Sequence, residues 1–282
     1  ASNHQDVQVG ERLWGFYPMS NYLVVKAGRV SQSNFFDVSE HRQQYAPIYS
    51  QYLRALSNPN YEPAREDHDL LLRGLYLTSW LVEDFMFDNE TFGADSYLIT
   101  SASSKTSIAL GFAVKSRGEK EAIGITSESN REFCKKLGCY SEIITYDEVS
   151  SLDASGSVVI VDMAGNLEVL RALHELFQEQ VKYSCLIGTT HRDEIKGLLS
   201  LSSLPGAKPE LFFAPSQAQK RTEELGAGQL EKLIGQSLVD FQKYSDQWLT
   251  VVRASGPESI EATFSKLLNG QAPPSEGYIL SA

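Results

Sequence analysis

The sequence predicts an α/β protein built around a doubly wound parallel sheet. Two observations carry that prediction. Short apolar runs at 97–100, 122–126, 142–145, 158–161 and 183–187 are separated by helix-like stretches. The runs are apolar without alternation, as strands are when helices cover both faces of a sheet. The composition agrees: 282 residues, 42% hydrophobic and 22% charged, with a mean hydropathy of -0.25, describe a globular chain with a real core. That length suits one large domain or two smaller ones.

Charge and cysteine usage exclude several classes. A net charge of -11 and a pI near 5.0 argue against a nucleic-acid or anionic-membrane surface, since both need a basic face. A local basic pocket for a phosphorylated cofactor stays compatible with that balance. No stretch approaches the ~20 apolar residues of a membrane span. Residues 1–10 are polar and acidic, unlike a signal or transit peptide. Cys134, Cys139 and Cys185 form neither a CxxC pair nor an even disulfide framework, and zinc has no candidate site. A cytoplasmic protein is the expectation.

The elements follow in order. Residues 12–15 and 22–26 are strand-like, broken by Tyr17-Pro18-Met19-Ser20. Residues 39–87 carry a helical pattern, with Leu70, Leu71, Gly74, Leu75, Leu77, Thr78, Leu81, Val82 and Phe85 on one broad face. Asn58-Pro59-Asn60 and Glu62-Pro63 interrupt it as a loop. The alternating strand–helix region covers about 90–200. After Pro205, residues 211–213 read as a strand. Leu230, Leu233, Ile234, Leu238, Phe241 and Trp248 mark the buried stripe of a long helix. A strand at 250–253, a helix opened by Gly256-Pro257-Glu258 and closed by Asn269-Gly270, and a strand at 277–280 complete the chain.

Ligands of open parallel sheets bind beyond the carboxyl ends of the strands, where strand order reverses. Four turns therefore matter. The first is Ser101-Ala102-Ser103-Ser104-Lys105-Thr106-Ser107. A dinucleotide turn usually carries GxGxxG so that backbone N–H groups approach a pyrophosphate at a helix N-terminus. Here serines stand at the glycine positions. Their hydroxyls and Lys105 can serve a phosphate, or Ser101 and Ser103 can simply cap a helix while Lys105 is solvated. The second turn, Thr126-Ser127-Glu128-Ser129-Asn130-Arg131, ends its strand without the acid that would hold the ribose 2′-hydroxyl of NAD. Ser127 and Arg131 suit a 2′-phosphate, so a bound dinucleotide would be NADP(H). Otherwise Ser127 is a cap and Arg131 a surface residue.

In the third turn Gly165 lets the chain pass close to a cofactor and Asn166 can cap the next helix. The fourth holds Gly188 and His191. His191 is the histidine placed on a strand-end turn, where it can meet the reacting end of a ligand as general acid or base, or merely be exposed. His4, His41, His68 and His174 read as surface residues. A G-x-S-x-G elbow and a full GxxxxGK[ST] loop are both missing from the sequence.

The run Val9-Gly10-Glu11-Arg12-Leu13-Trp14-Gly15 followed by Asn21-Tyr22-Leu23-Val24-Val25 resembles the G-D-x-V-x-G … A-E-Y-V-V passage of medium-chain dehydrogenase/reductases. Residues 131–145 resemble their K-x-x-x-x-x-x-L-G-A-D-x-V-I segment, with Cys139-Tyr140 in place of Ala-Asp. Residues 161–165 resemble their x-D-x-x-G strand end. The chain as a whole resembles the DUF2855 family of that superfamily, through S-A-S-S-K-T, V-D-M-A-G-N, Y-S-C–G-x-T-H and F-F-A-P-x-Q–K-R.

This resemblance implies a Rossmann-type nucleotide domain beside a truncated GroES-like β portion, the sequence beginning inside the latter. It places the partial β portion at 1–38, a helical connection at 39–90, the nucleotide domain at 91–225, and elements completing both portions at 226–282. The missing cysteine lobe implies kinship with zinc-free quinone and enoyl reductases. The resemblance assigns the cofactor to Ser101, Ala102, Ser103, Ser104, Lys105, Thr106, Ser107, Ser127, Arg131, Gly165 and Gly188, with Lys220 and Arg221 nearby. His191 and Tyr17 are the candidates for polarising a substrate.

The resulting expectation is a zinc-independent, NADP(H)-dependent oxidoreductase acting on a carbonyl or activated C=C of a small substrate. It would be a homodimer with no nucleic-acid or membrane partner. The alternatives are a non-catalytic binding or scaffold protein on a degenerate reductase fold, and a lyase or isomerase acting on an acyl compound.

Overall fold

The computed structural model describes residues 1–163, 165–187, 201 and 203–282. The chain forms two units, Ala1–Arg73 with Leu249–Ala282, and Gly74–Trp248. In the first, β1 (Leu13–Trp14), β2 (Ala27–Gly28), β3 (Asn34–Asp37) and β4 (Gln51–Arg54) form an antiparallel sheet in the order β1-β4-β3-β2. Phe35 stacks on its cross-strand partner Tyr52, with ring centroids 5.5 Å apart. Such pairs are the unit of sheet stabilisation.

Two expectations fail here. Residues 22–26 pair with no strand among the described residues, and β2 begins only at Ala27. Residues 39–65 are not helical: they form β4 and single 3₁₀ turns, two of which open on Pro47 and Pro63. Proline lacks the N–H that a continuing helix needs, so the helix starts only at Glu66. Helix α1 (Glu66–Asp88) then runs through Arg73 into the second unit, with Glu66, Asp67 and Asp69 in its first turn, where the helix dipole favours acids.

The second unit bears out the α/β prediction. The strands β5 (Ser96–Ile99), β6 (Glu121–Thr126), β7 (Glu142–Thr145), β8 (Val158–Asp162), β9 (Val181–Leu186) and β10 (Pro209–Leu211) are all parallel, in the order β10-β9-β8-β5-β6-β7. This is the Rossmann order. The last strand begins and ends before the expected 211–213. Helices α2 (Lys105–Arg117), α3 (Arg131–Leu137) and α4 (Leu167–Phe177) make the crossovers. The pleat splits the core in two. Leu98 and Ile160 face Leu170, Leu173 and Phe177, while Tyr97, Ile99, Val159 and Val161 face Val82, Met86 and Leu110. Each such fully buried aliphatic side chain contributes roughly 1.5–3 kcal/mol relative to exposure.

Helices α5 (Ala214–Leu225) and α6 (Ala227–Ser245) follow. Tyr76 of α1 stacks on Phe241 of α6, with centroids 4.8 Å apart. The remaining elements, β11 (Thr250–Ser255), α7 (Pro257–Leu268) and β12 (Glu276–Ser281), belong to the first unit, where β11 and β12 pair in parallel.

His174, expected at the surface, is fully buried. Its Nδ1–H donates to the Pro205 carbonyl at 2.8 Å, which leaves Nε2 to accept from the Ser184 hydroxyl at 2.9 Å. This satisfies both ring nitrogens of a neutral imidazole. Burial pushes its pKa below the ordinary 6.5, against the opposing pull of the Pro205 carbonyl.

Candidate functional site

The strand order reverses between β5 and β8, and the groups that end these strands are locked together. The Thr100 hydroxyl donates to Asp162 Oδ1, and Thr100 Oγ1 accepts the Met163 N–H at 3.2 Å. Asp162 Oδ2 accepts the Gly165 N–H at 2.9 Å, and Asp162 is fully buried. Gly165 has φ +74, a left-handed conformation that glycine adopts without a Cβ clash. The Asp162 carboxylate thus shapes both turns flanking the switch point. Asp162 was visible in sequence only as part of a strand-end motif, and its partner 62 residues away was not.

Helix α2 opens directly after β5. Ser104 is its N-cap, accepting the Ser107 N–H at 3.2 Å. Ser107 is buried and donates to the Thr100 carbonyl at 2.9 Å. A hydroxyl has one proton, so in the 2.8 Å contact between Ser104 and Ser107 the donor must be Ser104. Both protons are therefore spent inside the turn. Ser101 lies at φ +50, beside the Tyr146 side chain. Ser103 differs: its oxygen accepts from Asn130 Nδ2 at 3.0 Å, and its own proton has no acceptor among the described residues. Lys105 and Thr106 form the first helical positions. Both are half-buried, and the Thr106 carbonyl accepts from Ser79 at 2.7 Å.

The close approach that glycines usually give this turn comes from elsewhere. Ala102 is fully buried, and its N–H reaches the Ile125 carbonyl at 3.0 Å. A Cβ on Gly124 of β6 would lie 2.9 Å from Ala102 Cβ, and one on Gly111 of α2 would lie 2.8 Å from the Tyr140 ring. Tyr140 in turn donates to the Ala102 carbonyl at 2.9 Å. Gly124 and Gly111 escaped the sequence reading because each lies inside an element, and only the tertiary packing shows what it touches.

At the end of β6, Thr126 Oγ1 is buried without a well-placed hydrogen-bond partner among the described residues, beside the Cys134 thiol. Ser127 and Ser129 hydroxyls lie 2.9 Å apart. Arg131 is held by three groups: Glu128 at 2.8 Å, Glu148, and Thr145 Oγ1 at 3.3 Å. The guanidinium holds the Glu148 carboxyl below its ordinary range. The cation at this strand end is thus already neutralised by two carboxylates.

Lys220 and Arg221 lie on α5, with their charges engaged by α1. Lys220 pairs with Asp88, and Arg221 with Asp84 at 3.1 Å. Tyr17 lies in the other unit. Its hydroxyl donates to the Leu13 carbonyl at 3.4 Å, and burial with the neighbouring Tyr52 pushes its pKa up to about 12. Gly188 and His191 lie outside the described residues. Among the described residues, no three His, Cys, Asp or Glu side chains converge as metal ligands, and no helix is long and apolar enough to cross a membrane.

The fold recurs in solved structures. A "putative zinc-dependent alcohol dehydrogenase protein" from Rhizobium etli CFN 42 superposes with a TM-score of 0.53 at 17% identity, over 88% of this chain and 73% of that one. The yhdH oxidoreductase of Salmonella enterica, solved with NADP, gives 0.49 at 11% identity, over 83% and 70%. YhdH of E. coli K-12, solved with NADPH, gives 0.44 at 14% identity over 72% of this chain, which spans 61% of that protein. At 17% identity the likeness to the first of these is one of fold. No curated protein matches the chain. The family model described as "Protein of unknown function (DUF2855)" matches residues 1–273, and the chain belongs to that family.

Proposed function

We propose that the chain is a zinc-independent oxidoreductase that binds NADP(H) at the β5–β8 switch point and reduces a carbonyl or activated C=C of a small substrate. The observation that carries this reading is the uncommitted Ser103 proton on the turn that opens α2. A helix N-terminus already favours anions, and a free hydroxyl there adds a donor for a diphosphate. The absence of a carboxylate ending β6 fits an adenosine ribose carrying a 2′-phosphate.

The nicotinamide would supply the hydride, and the protein would bind, orient and shield the reactants. In this scheme Ser103 and the first turn of α2 hold the diphosphate. Arg131 exchanges Glu128 for the 2′-phosphate, a charge-assisted contact of the stronger kind. A homodimer in the cytoplasm belongs to the same proposal.

The specific observation favouring a non-catalytic binding protein is that Ser104 and Ser107 are both tied within the protein. Titration of the chain with NADPH and NADH, read by nicotinamide fluorescence, separates the two. The oxidoreductase reading expects saturation with NADPH and weaker NADH binding. Lack of saturation by either coenzyme at millimolar concentration would overturn it in favour of the non-catalytic reading.

A further inference from the structure

The turns that follow β5 and β6 are neighbours, because those two strands are paired in the parallel sheet. The main chain of the first turn is held at both ends of one residue. The Ala102 N–H reaches the Ile125 carbonyl at 3.0 Å, and the Ala102 carbonyl accepts from the Tyr140 hydroxyl at 2.9 Å. One side-chain bond also joins the two turns: Asn130 Nδ2 donates to Ser103 Oγ at 3.0 Å, across 27 positions of sequence.

Asn130 does nothing comparable for its own helix. It stands just before Arg131, the first residue of α3, where an asparagine ordinarily accepts a backbone N–H of the first turn. Its side chain makes no such bond, and its backbone, at φ -104 and ψ 0, is not in the extended form of a cap. The 3₁₀ turn Glu128–Asn130, entered from an extended Ser127, opens the helix in its place. The main-chain N–H of Asn130 goes to the Ser127 carbonyl at 3.0 Å. Among the described residues, the half-buried amide is committed to Ser103 alone.

The direction of that bond decides what Ser103 can do. A hydroxyl has one proton and two acceptor positions. With one acceptor position filled by the Asn130 N–H, the Ser103 proton is turned away from Asn130. Accepting a bond also polarises the O–H and strengthens it as a donor. Ser104 and Ser107 show the opposite outcome a few residues on, where each proton meets an acceptor within the same turn. Ser103 differs because its neighbour is a donor. A carboxylate at position 130 could only accept, and it would draw the proton to itself.

We infer that Asn130 is a positioning residue for a diphosphate: its amide keeps the Ser103 hydroxyl available as a donor beside the N-terminus of α2. The inference rests on the coenzyme site proposed above. Arg131, the next residue, is engaged by Glu128, Glu148 and Thr145 instead. Adjacent residues thus serve different parts of one ligand, Asn130 the diphosphate through Ser103 and Arg131 the 2′-phosphate.

The test compares the intact chain with Asn130→Leu, Asn130→Asp, Ser103→Ala and the double variant Asn130→Leu with Ser103→Ala. Each is titrated with NADPH and with adenosine 2′-monophosphate, which has no diphosphate. Leucine keeps the shape of asparagine without its donor, and NADPH binding should weaken several-fold. Asn130→Asp should weaken it at least about tenfold, because the hydroxyl then gives its proton to the carboxylate. In the Ser103→Ala background, Asn130→Leu should cause no further loss, as expected of one residue acting through another. Adenosine 2′-monophosphate should bind the parent and Asn130→Leu alike, which a general disturbance of the start of α3 would not allow. Four results would each overturn the inference and leave the coenzyme site standing: NADPH affinity unchanged in Asn130→Leu, or unchanged in Asn130→Asp, the full Asn130→Leu loss repeated in the Ser103→Ala background, or an equal loss with adenosine 2′-monophosphate. A parent chain that binds neither NADPH nor NADH would instead overturn the proposed function, and this inference with it.

Discussion

Thr100 and Asp162 meet at the carboxyl ends of neighbouring strands, hydroxyl to buried carboxylate, and so fix the two turns between which strand order reverses. Removing the carboxylate leaves the Thr100 hydroxyl and the Gly165 N–H without their partner. Each buried orphan costs roughly 1–3 kcal/mol. Asp162→Ala is therefore expected to lower the urea midpoint by an amount equivalent to at least ~2 kcal/mol without changing the slope of the transition. An unaltered midpoint would remove Asp162 from this role.

Ser103 and Ser104 are adjacent and chemically identical, yet their hydrogen bonds give them opposite predictions. Ser104→Ala deletes a helix cap and should cost ~1 kcal/mol of stability. Ser103→Ala should leave stability within about 0.5 kcal/mol and weaken NADPH binding about tenfold, equivalent to ~1.4 kcal/mol. Calorimetric titration of both variants decides the matter. Equal NADPH affinity in Ser103→Ala and the parent would count against the diphosphate assignment.

Gly124→Ala tests the close approach between β6 and the turn. The new Cβ would sit 2.8 Å from Ile143 Cδ1, which can move, and 2.9 Å from Ala102 Cβ, which is fixed to the backbone. Overpacking of this kind typically costs ~1–3 kcal/mol. Thermal denaturation should show a lower midpoint, and NADPH binding should weaken because Ala102 and its turn are displaced.

His174 sets a pH dependence. Its folded-state pKa lies below 6.5 because burial disfavours the charged ring. Between 6.5 and that lower value the unfolded chain binds the proton more readily, so stability falls as pH falls through this window. Above 6.5 the imidazole is neutral in both states and contributes no slope. His174→Gln should flatten the dependence of unfolding free energy on pH between 6.5 and 5, measured by urea titration. A slope equal to the parent's would show that other groups carry it.

The predicted parallel strands were legible because their signal is local. Five unbroken apolar runs give five strands of the sheet, and Asn166 caps its helix as expected, whereas the cap expected at Ser101 or Ser103 falls to Ser104, the residue just before the first helical position. Local signals also misled. The apolar spacing across 39–65 resembles a helix, but Pro47 and Pro63 open isolated turns there and β4 takes its bonds from β1 and β3. Likewise 22–26 has strand composition without a strand beside it among the described residues, and His174 looks polar on its helix while Ser184 and Pro205 enclose it.

The amino-acid order by itself determined the class of fold, the places where strands end, and the hydroxyl-rich, acid-poor chemistry of the turns that follow them. Tertiary structure alone decided which strand ends meet, which of the clustered serines keeps a proton to give, and where glycine makes room for the chain. The division has one physical cause. Periodicity and capping depend on residues a few positions apart, whereas Thr100 with Asp162, Ser103 with Asn130 and Ala102 with Gly124 are brought together only when the sheet assembles.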